Sequence, residues 1–262
     1  MKAIFLGTGA GNGVPSFFCD CAACREARDD FSCCRTRSAL LLAGEDHTLI
    51  DAPPDLRLQL ERAGINHLER IFLTHWHYDH FGGLGELEFF CQLTRSVPLP
   101  VYLPGAAVEP LKQAFPYLLD YLELRPLKMW QKVTVSGFTI QALPARHGVP
   151  TFGYLVEDAG FRLAYFPDTG GFDPQVEGQL RGVDTLILDA TFNGTNWYPG
   201  SHLSIQEAVQ WSRRLASKET YLTHLSMHYS QPATRQELEG FLQNQSGVLL
   251  ARDGLEISLI RT

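Results

Sequence analysis

Residues 74–83 read "THWHYDHFGG" and directly follow the apolar run "IFL". That run reads as a buried strand, so the motif sits at a strand end. His75, His77, Asp79 and His80 fall within six residues, and each side chain is a competent metal ligand. His75 and His77 can project together from extended chain. Asp79 and His80 can project another way as the chain turns into a helix beginning near Gly82. One short loop can thus feed two adjacent metal ions. A lone histidine is ordinarily a hydrogen-bonded core or surface residue, which suits His47 and His67. Four ligands this close together do not fit that description.

Working outward, further ligand types follow other strand-like runs. His147 follows "ALPAR", Asp168 follows "LAYFP", His224 follows "TYL", and Asp51 ends "HTLID". Loops at the ends of rigid strands are where sites are built. A carboxylate such as Asp168 can bridge two metals. A hydroxide between them would be a strong nucleophile at neutral pH, because the metals lower the pKa of water.

The remaining pattern alternates strands with helices and hairpins. "KAIFLG", "SALLLA" and "HTLID" read as strands, and "PDLRLQLERAG" as an amphipathic helix stopped by Gly64. "GGLGELEFFCQLTR" reads as a helix and "VPLPVYLPG" as a short strand. A second series follows, with a hairpin in "KVTVSGFTIQALPARH" and strands in "FGYLVED", "FRLAYFPD", "VDTLILDAT" and "ETYLTH". "SIQEAVQWSRRLA" is a helix with a capping box, Ser204 at the N-cap and Glu207 three residues on. "ATRQELEGFLQ" is another helix and "GLEISLI" a closing strand. The expectation is an α/β fold in one domain, residues 1–262, with helices outside two sheets. The two halves have loosely similar layouts without a close sequence repeat.

Apolar residues make up 45% of the 262-residue chain, enough for a sizeable core. The net charge of −7, without a long Lys/Arg run, argues against an extended nucleic-acid interface. No apolar run approaches a membrane span, and the N-terminus lacks the long apolar stretch of a signal peptide. A cytoplasmic location is therefore expected. In that compartment clustered cysteines more often bind metal than form disulfides.

Such a cluster exists in "FFCDCAACREARDD", residues 17–30, which holds Cys19, Cys21 and Cys24. Three thiolates make an incomplete structural zinc site, since zinc takes four ligands there. His228, Cys33 and Cys34 are the candidates for the fourth. Cys91, in "EFFCQL", reads as a buried core thiol.

"THWHYDH" together with His147, Asp168 and His224 resembles the metallo-β-lactamase-fold hydrolases. The resemblance spans essentially the whole chain and implies an αββα sandwich of two sheets flanked by helices. It also implies two divalent ions, Zn²⁺ or Mn²⁺: His75, His77 and His147 on one, Asp79, His80 and His224 on the other, and Asp168 between them. Asp51 matches the aspartate that supports the metal loop from behind. "GNGVPSFFCDCAACREAR", "TFGYLVE", "SHLSIQEA" and "LTHLS" resemble the PhnP subgroup more narrowly. That resemblance implies a phosphodiesterase acting on a small cyclic phosphodiester, phosphoribosyl 1,2-cyclic phosphate in phosphonate breakdown. It further implies one structural Zn²⁺ at the cysteines and allows a homodimer.

In that subgroup the zinc's fourth ligand is a histidine three positions after the last active-site histidine. Here the position is Met227, with His228 one residue later, so a bulge would be needed to bring His228 in. The cysteine triplet also resembles PqqB, a relative in pyrroloquinoline quinone biosynthesis, but PqqB-type chains tend to lack the full ligand set present here. A tRNA 3′-processing nuclease and a lactonase are the other hydrolases of this fold to weigh. The nuclease usually carries a long RNA-binding arm that is missing here.

His202 is the candidate general acid, with Asp79 and Asp168 the other catalytic residues. A histidine of ordinary pKa can donate a proton near neutrality. Trp197 and Tyr198 of "FNGTNWYPG" can line the pocket against a sugar or base, and Arg35 and Arg37 can reach a second phosphate.

Overall fold

The computed structural model describes residues 1–259. The first half contains β1 (Lys2–Gly7), α1 (Ala22–Asp29), β2 (Ala39–Ala43), β3 (His47–Ile50), α2 (Leu56–Ala63), β4 (Arg70–Phe72), α3 (Tyr78–Phe81), α4 (Glu88–Thr94), β5 (Leu99–Pro104), α5 (Val108–Ala114) and β6 (Leu122–Leu127). The second contains β7 (Lys132–Val135), β8 (Phe138–Ala145), β9 (Thr151–Asp158), β10 (Phe161–Phe166), α6 (Pro174–Leu180), β11 (Thr185–Asp189), α7 (Ile205–Leu215), β12 (Glu219–Thr223), α8 (Arg235–Leu242), β13 (Val248–Leu250) and β14 (Glu256–Ser258).

The strands form two seven-stranded sheets, ordered β14-β1-β2-β3-β4-β5-β6 and β13-β12-β11-β10-β9-β8-β7. Each sheet has the same plan. Strands β1 to β3 pair antiparallel and β3 to β6 parallel. Likewise β7 to β10 pair antiparallel and β10 to β13 parallel. This shared plan is the source of the similar layouts of the two halves.

Period-two alternation sorts the side chains, but both faces are apolar because both are covered. Ala3 and Phe5 of β1, Leu40 and Leu42 of β2, and Leu163 and Tyr165 of β10 meet between the sheets. Their neighbours Ile4, Leu6 and Leu41 pack outward with residues of α2, α4 and α5, while Ala164 and Phe166 pack outward with α6, α7 and α8. The result is the expected four-layer αββα sandwich. Phe72 is fully buried at its centre, stacked on Tyr102 with ring centroids 4.4 Å apart. Burying such a side chain contributes about 1.5–3 kcal/mol.

Several elements differ from expectation. "GGLGELEFFCQLTR" is not one helix: residues Gly82–Leu87 are 3₁₀ and only Glu88–Thr94 is α-helical. Gly83 packs so closely on the Pro53 carbonyl that a Cβ would lie 1.9 Å from its oxygen. The helical turn instead begins inside the ligand motif, at Tyr78. The cysteine segment carries α1, and β6 and β13 are strands that periodicity did not single out. Ser204 and Glu207 form the expected capping box at the start of α7, and Cys91 is buried in the core. The closing strand is β14; the Ile260 end of "GLEISLI" lies outside the described residues. Among the described residues no helix is long and apolar enough to cross a membrane.

The topology places the site. Because β8 and β10 both run antiparallel to β9, the C-terminal ends of β8, β10, β11 and β12 share one rim. The ends of β3 and β4 form the matching rim of the other sheet. Phe152 N–H donates to the Thr74 carbonyl (3.0 Å), and Tyr154 Oη to the Leu73 carbonyl (2.6 Å), so the two rims are tied together.

Candidate metal centre

Every histidine and aspartate expected around the active-site metals lies on these joined rims. The chain stays extended after β4, so His75 and His77 face the same side. His77 Nδ1 lies 3.0 Å from His75 Nε2 and 3.1 Å from His147 Nε2. The turn into α3 swings Asp79 and His80 to the other side. Asp79 Oδ2 is 3.5 Å from His80 Nε2 and 3.4 Å from His224 Nε2. Asp168 lies between the two triads. Its Oδ2 is 2.7 Å from His80 Nε2 and 3.4 Å from His75 Nε2, and its Oδ1 is 3.1 Å from His224 Nε2.

These donors fit divalent cations. His80 Nε2 and Asp168 Oδ1 are buried, yet neither makes a hydrogen bond despite the close approaches. An unpaired buried polar group costs about 1–3 kcal/mol, and coordination would satisfy both atoms. Imidazole with carboxylate is a donor set for Zn²⁺, Mn²⁺ or Fe.

The outward nitrogens are fixed. His80 Nδ1 bonds Asp51 Oδ2 (2.9 Å), His75 Nδ1 the Thr74 hydroxyl (3.0 Å), His147 Nδ1 the Ser201 carbonyl (3.0 Å) and His224 Nδ1 the Thr191 hydroxyl (2.8 Å). Such partners set ring orientation and leave Nε2 for the cleft. Asp51 is fully buried and also accepts from Thr74 N–H at 2.8 Å. Asp51 and His224 both adopt left-handed backbone, with φ of 66° and 55°, which non-glycine residues seldom do.

Burial and the neighbouring His80 push His75 well below the usual histidine range, which keeps it neutral. Burial also acts to lower His80, but Asp168, Asp79 and Asp51 outweigh it and hold that imidazole well above the usual value. Against their own desolvation, Asp79 and Asp168 are held well below the carboxylate range by the facing histidines.

His202 stands beside this set. Its Nδ1 is 2.9 Å from Asp189 Oδ2, 3.3 Å from Asp168 Oδ1 and 3.2 Å from the Thr191 hydroxyl. Burial acts to lower its pKa, but the Asp189 and Asp168 carboxylates beside it reverse that and lift it to about 11. The histidine expected to have an ordinary pKa therefore has it raised by the carboxylates it faces. Asp189 was not singled out in the sequence. It is fully buried and accepts from Thr169 N–H, Thr191 N–H and the Thr191 hydroxyl. Its signal was available: "LILD" ends β11 as "TLID" ends at Asp51, and each strand-end aspartate holds a histidine of the site.

Residues 47–225 match the model of the beta-lactamase superfamily domain. The chain belongs to the metallo-β-lactamase superfamily. The crystal structure of a diphosphatase from the PhnP family is 28% identical, with a TM-score of 0.85 over 98% of this chain and 97% of that one. Coenzyme PQQ synthesis protein B of Methylobacterium nodulans is 30% identical over 224 residues, 73% of each protein. The octanoyltransferase of Porphyromonas gingivalis is 32% identical over 247 residues, 87% of this chain; the chain spans about half of that relative, 46% of its length. This metallo-β-lactamase-fold hydrolase is thus PhnP-like.

Like the candidate metal donors, the cysteines of this PhnP-like chain converge. The sulfurs of Cys19, Cys21 and Cys24 all lie within 4.8 Å of one another. His228 Nδ1 is 3.6 Å from Cys24 Sγ, though it does not lie within that mutual distance of all three sulfurs. Zinc bonds of about 2.3 Å to sulfur and 2.1 Å to nitrogen put two such donors about 3.6 Å apart across a tetrahedral angle. The other candidates turn away: Cys33 Sγ faces Asp30 Oδ2 at 3.7 Å and Cys34 Sγ the Ala27 carbonyl at 3.1 Å. The backbone explains how His228 stands where Met227 does not. Met227 has a left-handed φ of 54°, and its sulfur is turned to Arg35 Nε at 2.9 Å. Burial pushes the Cys24 thiol up to about 12.

Arg35 and Arg37 do not reach the cleft as expected. Arg35 is buried and donates to Met227 and to the Thr8 hydroxyl (2.7 Å). Arg37 pairs with Asp55 at 3.0 Å.

Proposed function

We propose that this chain is a metal-dependent phosphodiesterase acting on a small cyclic phosphodiester of the phosphoribosyl 1,2-cyclic phosphate type. The observation that carries the reading is Asp168, placed between two candidate ligand triads with the His202 imidazole 3.3 Å from its Oδ1. The two triads and Asp168 would hold divalent ions, which would supply Lewis acidity toward a phosphoryl oxygen and lower the pKa of water. The chain's own residues do the rest. Asp79 and Asp168 stay ionised at neutral pH. His202 has Nδ1 committed to Asp189, which leaves Nε2 to donate a proton to the departing alkoxide. Asp189 fixes the ring and keeps it charged. The cleft holds about 390 Å³, the scale of a small-molecule site.

Purified protein loaded with Mn²⁺ or Zn²⁺ is expected to hydrolyse bis-p-nitrophenyl phosphate. The relation to coenzyme PQQ synthesis protein B supports a second reading, a metal-binding accessory protein. Full metal loading without turnover of any diester would favour it.

A further inference from the structure

We propose that Asn12 donates a side-chain N–H to a phosphoryl oxygen of the substrate, and that His228 sets the amide in that orientation from the cysteine cluster. This rests on the phosphodiesterase reading and adds a substrate contact to it.

Asn12 stands in a tight turn, residues 10–13, that forms part of the cleft wall. The turn is fixed at each step. Gly13 N–H donates to the Ala10 carbonyl at 2.8 Å and Ala10 N–H to the Leu225 carbonyl at 3.1 Å. Arg37 Nε donates to the Gly11 carbonyl at 3.0 Å. A Cβ on Gly11 would lie 3.1 Å from Asp79 Oδ2, so the turn passes close against the second triad. Asn12 is thereby held beside the place where the phosphate would bind. The cleft is short of donors for it. Among the described residues no Lys or Arg lines it. The Thr191 hydroxyl is given to Asp189 at 2.8 Å, and His202 is assigned to the leaving group.

The Asn12 amide has two ends, and the protein uses one. That end meets His228 Nε2 at 2.7 Å and the Tyr229 hydroxyl at 2.6 Å. The other end has no partner among the described residues. The His228 ring decides which end is which. With Nδ1 carrying a proton toward the Cys24 thiolate, Nε2 is bare. It then takes the NH₂ end and turns the amide oxygen to the cleft. With Nδ1 on a zinc ion, Nε2 carries the proton. It then takes the amide oxygen and turns the NH₂ to the cleft. The Tyr229 hydroxyl suits either arrangement, since it both donates and accepts. Filling the cysteine cluster therefore changes the cleft-facing end from acceptor to donor. An oxygen there would repel a phosphate. An N–H there would bond it, and bonds to charged acceptors are the stronger kind.

Zinc-loaded protein and inorganic phosphate test this, with affinity read by isothermal titration calorimetry. Asn12→Ala is expected to keep its zinc and to bind phosphate roughly tenfold more weakly, the loss of one hydrogen bond to a charged group. His228→Cys can still hold zinc through sulfur but offers no Nε2–H. It should cost most of the same factor in the wild-type background and nothing further in Asn12→Ala, because residues that act through one another are not additive. Affinity unmoved in Asn12→Ala, or an equal His228→Cys loss in both backgrounds, overturns the proposal. Proton–nitrogen NMR of zinc-loaded wild type needs no variant. It should show a proton on His228 Nε2 and a shift of the Asn12 side-chain NH₂ signals when phosphate is added. A bare Nε2 overturns the proposal whatever the variants do. Diester turnover with phosphate affinity unmoved in Asn12→Ala overturns the contact and leaves the phosphodiesterase reading intact. The expected binding pattern without turnover of any diester supports the contact and sinks that reading.

Discussion

His228 places Nδ1 3.6 Å from Cys24 Sγ and Nε2 2.7 Å from the Asn12 amide. Asn12 lines the cleft and also donates to the Tyr229 hydroxyl at 2.6 Å. One imidazole thus joins the cysteine cluster to the cleft wall. It also ties the N-terminal loop to the segment that carries His224. With Nδ1 on a zinc ion, Nε2 would carry the proton, and Asn12 would meet it with its side-chain oxygen.

Removing that imidazole should therefore cost metal first. His228→Ala is expected to lose the structural zinc while Cys33→Ser keeps it, as read by metal content of the purified proteins. Unchanged zinc in His228→Ala would exclude the ligand role and return the search to Cys33 and Cys34.

His202→Ala should retain the active-site metals and slow turnover by roughly 10²- to 10⁴-fold, the range for a general acid. Asp189→Asn should slow it too, because the ring loses the carboxylate that orients and charges it. Turnover within about threefold of wild type, far below that general-acid range, would exclude His202 as the proton donor.

Asp51 touches no expected metal position, yet it fixes the His80 ring and the Thr74 turn. Asp51→Ala is expected to weaken active-site metal retention about 10- to 100-fold in a chelator competition, the usual cost of losing a partner behind a ligand. An unaltered competition curve would show that His80 is oriented by packing alone.

Away from the site, Glu177 of α6 receives Arg214 of α7 at 3.0 Å and Arg181 at 3.0 Å. Hydrogen bonds from Arg214 lead in holding its carboxyl below the usual glutamate value. The stability these pairs confer is present above the unfolded pKa and is lost as pH falls through the lowered folded value. The gap in thermal midpoint between wild type and Glu177→Gln should be largest at neutral pH and close in acid. A gap constant from pH 7 to pH 3 would rule out the ionic contribution.

The grouping of the candidate donors was legible in the chain because it depends on residue type and close spacing. "HWHYDH" carries four donors whose alternation and turn sort them between two positions, and the positions of His147, Asp168 and His224 at strand ends followed from the apolar runs before them. The αββα class was legible from strand and helix periodicity joined to that motif. The 3₁₀ segment after Phe81 was not, because its cause is a close approach of Gly83 to Pro53, residues that meet only in the folded chain.

What the sequence by itself determined was the candidate donor set and the two-sheet plan, since local propensity and residue chemistry suffice for both. Only the tertiary structure decided the pairings behind the site. Asp189 holds His202 Nδ1 across 13 residues and raises its pKa. A left-handed Met227 hands the cysteine-facing place to His228. Arg35, which reads as a phosphate ligand, is spent inside the protein on Met227 and Thr8. Each outcome depends on which polar groups folding buries together, and a buried charge takes the partner that the packing brings to it.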